Sequence, residues 1–250
     1  MKEINVISRL GNKQNDIKYF KHFLPLDVKT VVEPFGGSFA VIRNIYKDMN
    51  VYDLHINDTD PMLFYIYTHF NEYIDEITRL TKLHESHYIN QPTAREFLEY
   101  IKHLDINEHL KQYILKSKFI RGSMFKPTKS QVYNKQEINI LENAKITNED
   151  YKSILEHYKN DSQTFIFLDP PYLFSDNSGY FSQNDDTDMT DIIVYILQYL
   201  RDCNCKVMLV INKLKILEWL FKDYIKGEYD KIYQLSKKSM KHLVITNYEI

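Results

Sequence analysis

The sequence predicts an α/β fold: a central sheet with helices on both faces and one inserted subdomain. Three observations carry this. A β-branched apolar run breaks at a pair of glycines, then continues as a helix and a second strand, the opening of a wound sheet. A short, wholly apolar strand followed by helix–strand alternation returns after residue 164. Between them, about residues 84 to 140, the chain is rich in His, Lys, Tyr and Asn and reads as helices and loops without a clear strand.

The elements follow in order. Residues 30–34 form the first strand, and Phe35-Gly36-Gly37-Ser38 break it. Residues 39–47 are helical, 51–56 are the second strand ending at Asn57-Asp58, and 61–83 have helical spacing. Residues 164–168 are a buried-type strand, 188–200 a helix, 206–211 a strand, 214–224 a helix and 243–248 a closing strand. The main domain thus comprises residues 1–70 and 145–250, with 71–144 as the insert.

Composition narrows the class of molecule. The chain has 250 residues, 44% hydrophobic and 26% charged, enough to bury a sizeable core. No apolar run reaches the length of a membrane span and the first residues lack a signal-peptide core, so an intracellular, cytoplasmic protein is expected. Only two cysteines occur, Cys203 and Cys205, too few and too close for a disulfide framework or a zinc site, and no metal is expected. The net charge of −2 gives no global attraction for phosphates, so any nucleic-acid face has to be local. Few alanines and glycines beside abundant Lys, Ile, Asn and Tyr are the usage of an AT-rich genome, as in viruses and phages.

The strongest chemical signal is Asp169-Pro170-Pro171-Tyr172, directly after the strand Phe165-Ile166-Phe167-Leu168. Ligands of open α/β sheets bind at the C-terminal ends of strands. The prolines lack N–H groups and have fixed φ, so the turn is stiff and presents its carbonyls outward. A carboxylate from Asp169 and the carbonyl of Pro170 supply two acceptors for the hydrogens of an aromatic amine. Such an amine is a poor nucleophile until its lone pair is drawn out of the ring. Tyr172 offers a face on which a base can stack. A base in a duplex reaches such a pocket only by flipping out.

With these residues in place, the chain resembles the Dam-type DNA adenine-N6 methyltransferases over most of its length, in the family's motif order. The resemblance implies a Rossmann-like methyltransferase fold, S-adenosylmethionine as cofactor, double-stranded DNA as partner and no covalent enzyme intermediate. Gly11-Asn12-Lys13-Gln14 is similar to the family's Gly-x-Lys, which implies that Lys13 and Arg9 line the cofactor. Arg9 stands where the family usually has an aromatic residue. Glu33-Pro34-Phe35-Gly36-Gly37-Ser38 resembles the Pro-Phe-x-Gly-x-Gly loop, placing Phe35 and Gly37 at the cofactor, with Phe39 in the place of the last glycine. Asp58 takes the ribose-binding position of nucleotide-binding α/β proteins; capping of the helix near Pro61 is the competing role. In Asn148-Glu149-Asp150-Tyr151, the resemblance gives Asp150 and Tyr151 to the cofactor's adenine; a cap by Asn148 is the competing role. Asp169 borders both cofactor and base. Ile245-Thr246-Asn247-Tyr248 matches the family's closing strand and reads as structural.

The middle departs from the family. In place of its base-reading hairpin stands Phe119-Ile120-Arg121-Gly122-Ser123-Met124-Phe125-Lys126-Pro127, so no target sequence is inherited. The stretch is nonetheless basic. From Lys111 to Gln136 there are seven positive residues, Lys111, Lys116, Lys118, Arg121, Lys126, Lys129 and Lys135, no Asp or Glu, and interleaved aromatics. A solvated helix face would account for the charge; a phosphate-gripping face, with Arg121, Lys126 and Lys129 on DNA, also accounts for its one-sidedness. The insert is accordingly the expected target-recognition subdomain, and the enzyme a monomer or dimer on DNA. Two rivals stay open on sequence: the same chemistry on RNA, and a non-catalytic DNA-binding subunit of a methyltransferase complex, motivated by Phe39 and Arg9.

Overall fold

The computed structural model describes residues 3–4, 6–7, 13–45, 53–87, 94–118, 132–172, 189–232 and 239–249. In chain order the elements are β1 (Glu3–Ile4), α1 (Ile17–Phe20), β2 (Thr30–Glu33), α2 (Ala40–Ile45), β3 (Asp53–Asn57), α3 (Pro61–Thr68), α4 (Phe70–His87), α5 (Ala94–Lys102), α6 (Glu108–Lys118), β4 (Val132–Tyr133), α7 (Lys135–Asn143), β5 (Lys145–Thr147), α8 (Tyr151–Tyr158), β6 (Thr164–Leu168), α9 (Met189–Asp202), β7 (Lys206–Asn212), α10 (Lys215–Leu220), β8 (Ile225–Ile232) and β9 (Ser239–Thr246). They fall into two compact units, one of residues 13–59 and 149–250, the other of residues 1–12 and 60–148.

In the larger unit the strands lie in the order β3-β2-β6-β7-β9-β8. The first four run parallel and β9 enters antiparallel between β7 and β8. The centre of this sheet explains its sequence. All five residues of β6 are buried. Ile166 and Leu168 pack with Ile154 and Leu155 of α8, Ile192 and Ile196 of α9 and Leu217 of α10. On the opposite face, Phe20 of α1 stacks on Phe167 with ring centroids 5.6 Å apart. A strand covered on both sides reads as a continuous apolar run rather than an alternating one. Each large side chain so buried contributes about 1.5–3 kcal/mol. Helices on both faces of an α/β sheet are what the sequence predicts, and the Rossmann-like assignment holds.

Several boundaries differ. The helix predicted over 61–83 is two helices, α3 and α4, meeting at His69, whose φ of −123° lies outside the helical range. The Thr68 hydroxyl donates to the carbonyls of Phe64 and Tyr65, competing with continuation of the helix at that point. The helix predicted over 214–224 stops at Leu220 and gives way to β8, which the sequence reading missed. Ile-Lys-Gly-Glu-Tyr-Asp-Lys-Ile carries charges and a glycine because β8 is a sheet edge, where charge discourages further pairing.

The smaller unit contains α3 to α7. Tyr73 of α4 meets Tyr113 of α6 edge to face at 5.1 Å, both rings buried. Contrary to the expectation of no strand in the middle, β4 is present and pairs in parallel with β1. Buried Glu137 of α7 holds the β1 exit, accepting from the backbone N–H groups of Val6 (2.5 Å) and Ile7 (3.2 Å). The predicted insert, 71–144, lies inside this unit, which reaches back to Asp60 and includes the N-terminal residues.

Candidate active site

Parallel pairing brings the C-terminal ends of β3, β2 and β6 to one edge of the sheet, and the loops carrying the sequence motifs leave from that edge. After β2 the chain turns through Pro34–Ser38. Gly37 has φ +52°, and its N–H donates to Asp58 Oδ2 at 2.8 Å, while Gly36 N–H donates to the Asn57 carbonyl at 2.7 Å. Phe39 N–H closes the turn onto the Gly36 carbonyl at 2.5 Å. Phe39 itself has φ +37°, and its ring is fully buried with the Arg43 guanidinium 5.8 Å from its centroid.

Two residues beyond the predicted set hold this loop. Asn57, buried, donates through Nδ2 to the carbonyls of Pro34 (2.9 Å) and Glu149 (3.0 Å), and its Oδ1 accepts from Glu149 N–H (2.9 Å). It thereby ties the glycine loop to the Asp150-Tyr151 segment. A buried amide at a strand end was legible as a polar residue in an apolar strand, but its partners were not. Glu33, also buried, accepts from Ile42 N–H at 2.6 Å and so caps the start of α2. Burial pushes its carboxyl up to about 8, against the pull of the Ile42 N–H and of Arg43.

The competing capping roles resolve onto other residues. Asp60, not Asp58, caps α3, accepting from Met62 N–H at 3.0 Å. Asp150, not Asn148, caps α8, accepting from Lys152 N–H at 2.8 Å. Tyr151 is buried, its ring 5.1 Å from that of Phe35.

At the end of β6, Asp169 Oδ1 accepts from Lys13 Nζ at 2.5 Å and from the Tyr172 hydroxyl at 3.1 Å. Lys13 Nζ also donates to the Tyr172 hydroxyl oxygen at 2.6 Å. The Lys13 side chain is only 4% exposed, against 22% for Asp169. Burial lowers the Lys13 ammonium below its ordinary value, with the Asp169 charge opposing that shift. The sequence reading placed Lys13 beside a cofactor; its ammonium sits on the Asp-Pro-Pro-Tyr motif. Beneath Tyr172 lies a second layer. His242 meets the Tyr172 ring at 5.4 Å and stacks on Tyr229 at 5.3 Å. Asp16 pairs with Lys231 at 2.6 Å and accepts from the Tyr229 hydroxyl at 3.4 Å. Burial, then the charges of Lys13 and Lys231, bring His242 down to about 4, so its ring is neutral at ordinary pH. Of the remaining predicted site residues, Arg9, Arg121, Lys126 and Lys129 lie outside the described residues.

A carboxylate and a tyrosine at the end of the central strand, beside a glycine loop and a strand-end aspartate, match one protein family across residues 10–240: the D12 class N6 adenine-specific DNA methyltransferases. The chain belongs to this family. It is an adenine-N6 DNA methyltransferase, and DNA is its substrate. It is also similar to the Type II methyltransferase M.CviBI of Paramecium bursaria Chlorella virus NC1A, with 25% identity over 281 residues, covering 97% of this chain and 99% of that relative. Among the described residues, no group of three or more His, Cys, Asp and Glu could hold a metal, and no helix is long and apolar enough to cross a membrane.

Proposed function

We propose that this methyltransferase takes its methyl group from S-adenosylmethionine and delivers it to an adenine flipped out of a specific site in double-stranded DNA. The observation that carries this reading is the asymmetry of Asp169. Its Oδ1 is saturated by two donors, while Oδ2 accepts no hydrogen bond among the described residues and the group is partly exposed. A partly exposed acceptor at the end of the central strand suits the amine of a base.

The residues at the sheet edge fit the donor. Asp58 is half-buried and stands at a strand end, where ribose binds in related folds. Gly37, at positive φ, would let a ligand approach the backbone. Phe35 is half-buried and supplies an apolar face, with Tyr151 behind it. When bound, S-adenosylmethionine would supply an electrophilic methyl on a sulfonium centre, its carbon–sulfur bond breaking as the new nitrogen–carbon bond forms and a neutral thioether departing. The chain's own part is positioning. Asp169 Oδ2 and the Pro170 carbonyl accept the two amine hydrogens and draw the nitrogen toward tetrahedral geometry. Tyr172 stacks on the base. Holding the amine in line with the methyl group converts an encounter into a near-attack geometry, and the fixed carboxylate favours the positive charge developing on nitrogen. The amine's proton then leaves to water.

The basic segment, Lys111 to Lys135, grips the phosphate backbone in this reading, with Arg121, Lys126 and Lys129 closest to DNA. The test is incubation of the protein with labelled S-adenosylmethionine and diverse DNA and RNA, followed by mapping of modified bases. N6-methyladenine in one DNA sequence context is the expected product. Asp169→Ala should lower kcat by about 10²–10³ with the fold retained, since the group is a strand-end acceptor and not core. Near-normal turnover in that variant, with adenine still the product, refutes the site assignment; modified RNA without modified DNA refutes the substrate.

A further inference from the structure

We propose that Lys13 is a positioning residue for methyl transfer: its buried ammonium locks one oxygen of Asp169, so that the other oxygen alone is presented to the substrate amine. The inference rests on the reading of Asp169 as the amine's acceptor, and it gives Lys13 a role different from lining the donor.

The geometry is a closed triangle. Lys13 Nζ donates to Asp169 Oδ1 (2.5 Å) and to the Tyr172 hydroxyl oxygen (2.6 Å), and that hydroxyl donates to the same Oδ1 (3.1 Å). All three directions are chemically consistent. An ammonium has only donors to give, the phenol oxygen both accepts and donates, and the carboxylate only accepts. Two donors on Oδ1 fix the carboxylate's rotation and, through the hydroxyl, the Tyr172 ring. Oδ2 remains as the acceptor.

The surroundings leave Asp169 as the main counter-charge of Lys13, with Asp16 a weaker one. Asp16, just after the Lys13–Asn15 turn, is engaged by Lys231 of β8. His242 of β9, whose value falls to about 4, adds no positive charge at ordinary pH. Glu33 of β2, the other carboxyl facing Asp169, is raised to about 8 and so is mainly protonated at neutral pH, adding little competing negative charge. Lys13 is 4% exposed, so bulk water cannot substitute for the carboxylate.

The test compares wild type with Lys13→Met and Lys13→Arg, measuring kcat at saturating DNA and donor, and donor affinity by calorimetry. In Lys13→Met kcat should fall by about 10²-fold, the scale of a small misplacement of the reacting groups. Donor affinity should be unchanged, and Lys13→Arg should return part of the lost kcat. Weakened donor binding, or an unmoved kcat, overturns the inference and returns Lys13 to the donor site. A second measurement does not depend on Lys13 variants folding. In Asp169→Asn, Lys13 keeps its burial but loses its counter-charge, so its folded-state value drops further. The unfolded chain then binds more protons than the folded one, and stability rises with pH. The melting-temperature gap between wild type and Asp169→Asn should narrow from about pH 7 to about pH 9; parallel curves refute the coupling. Near-wild-type methylation of adenine by Asp169→Ala would instead sink the underlying assignment of the acceptor.

Discussion

Position 39 offers a measurable inversion of an ordinary stability rule. In the loop after β2, Gly37 has φ +52° and Phe39 has φ +37°, so the phenylalanine occupies a backbone conformation that L-residues adopt at a cost of about 1–2 kcal/mol. Its ring is wholly buried. Removing the ring from such a site costs about 3–5 kcal/mol. Phe39→Ala therefore loses the packing and keeps the strain. Phe39→Gly loses the same packing but relieves the strain of about 1–2 kcal/mol. Against that, glycine adds about 0.4–1 kcal/mol through the freedom of the unfolded chain. The balance leaves Phe39→Gly more stable than Phe39→Ala by about 0.5–1 kcal/mol, whereas at most positions alanine is the better residue. For a chain of this size, 1 kcal/mol moves the melting temperature by about 2–4 °C. Thermal and urea unfolding of the two variants, side by side with wild type, should place both well below wild type and the glycine variant a few degrees above the alanine variant. Equal stability, or alanine ahead, refutes the claim that the loop holds position 39 in a glycine conformation against the side chain's preference.

Other perturbations separate roles that the sequence left overlapping. Asp58→Ala should weaken S-adenosylmethionine binding by about 1–3 kcal/mol, read by calorimetry, because a charged acceptor and the anchor of Gly37 N–H are lost together. Asp60→Ala should leave donor affinity alone and cost about 0.5–2 kcal/mol of stability through loss of the α3 cap; the opposite pairing of effects would exchange the two assignments. Glu33→Gln tests a pH dependence. Glu33 is raised from 4.5 to about 8 in the folded chain, so its contribution is fully present below about 4.5 and is lost as pH rises toward 8. The stability of wild type relative to Glu33→Gln should fall across that window, and a flat difference counts against a buried, neutral Glu33. Lys126→Ala and Lys129→Ala should each lower the salt slope of DNA binding by about one unit; wild-type slopes in both would move the DNA face away from the basic segment.

The parts of the fold legible in the sequence were those where burial and local chemistry agree. β6 could be placed to the residue because both its faces are covered and every position is apolar. The break after β2 was marked by glycines whose conformation the loop uses. Where tertiary context overrides local pattern, the reading failed. β4 has two residues and exists only through its pairing with β1. β8 is polar because it is an edge, and its pattern alone does not distinguish it from a loop. The junction at His69 is a short interruption in a long stretch of helical spacing, too local for periodicity to register.

The candidate site divides along the same line, and the division bears on how its chemistry is built. Asp169 and Tyr172 could be named because they sit together in a tetrapeptide. Lys13 lies 156 residues from Asp169 in sequence, Asn57 lies 92 from Glu149, and Asp16 lies 213 from Tyr229, so no spacing announces these pairs. Lys13 stands in a sequence motif of its own, but its pairing with Asp169, like those of Asn57 and Asp16, is written in no spacing. An acceptor works on a weak nucleophile only if it is held before the substrate arrives, because reorientation during reaction costs the free energy that preorganisation saves. A carboxylate at the end of a strand, 22% exposed, would otherwise rotate among several hydrogen-bonding arrangements with water. Lys13 and the Tyr172 hydroxyl remove that freedom at Oδ1, and the neutral ring of His242 backs Tyr172 from below. The partners of the motif are thus the ones that would turn a common Asp-Pro-Pro-Tyr turn into a fixed acceptor, which is why a change at Lys13 should appear in kcat and not in the affinity for the donor.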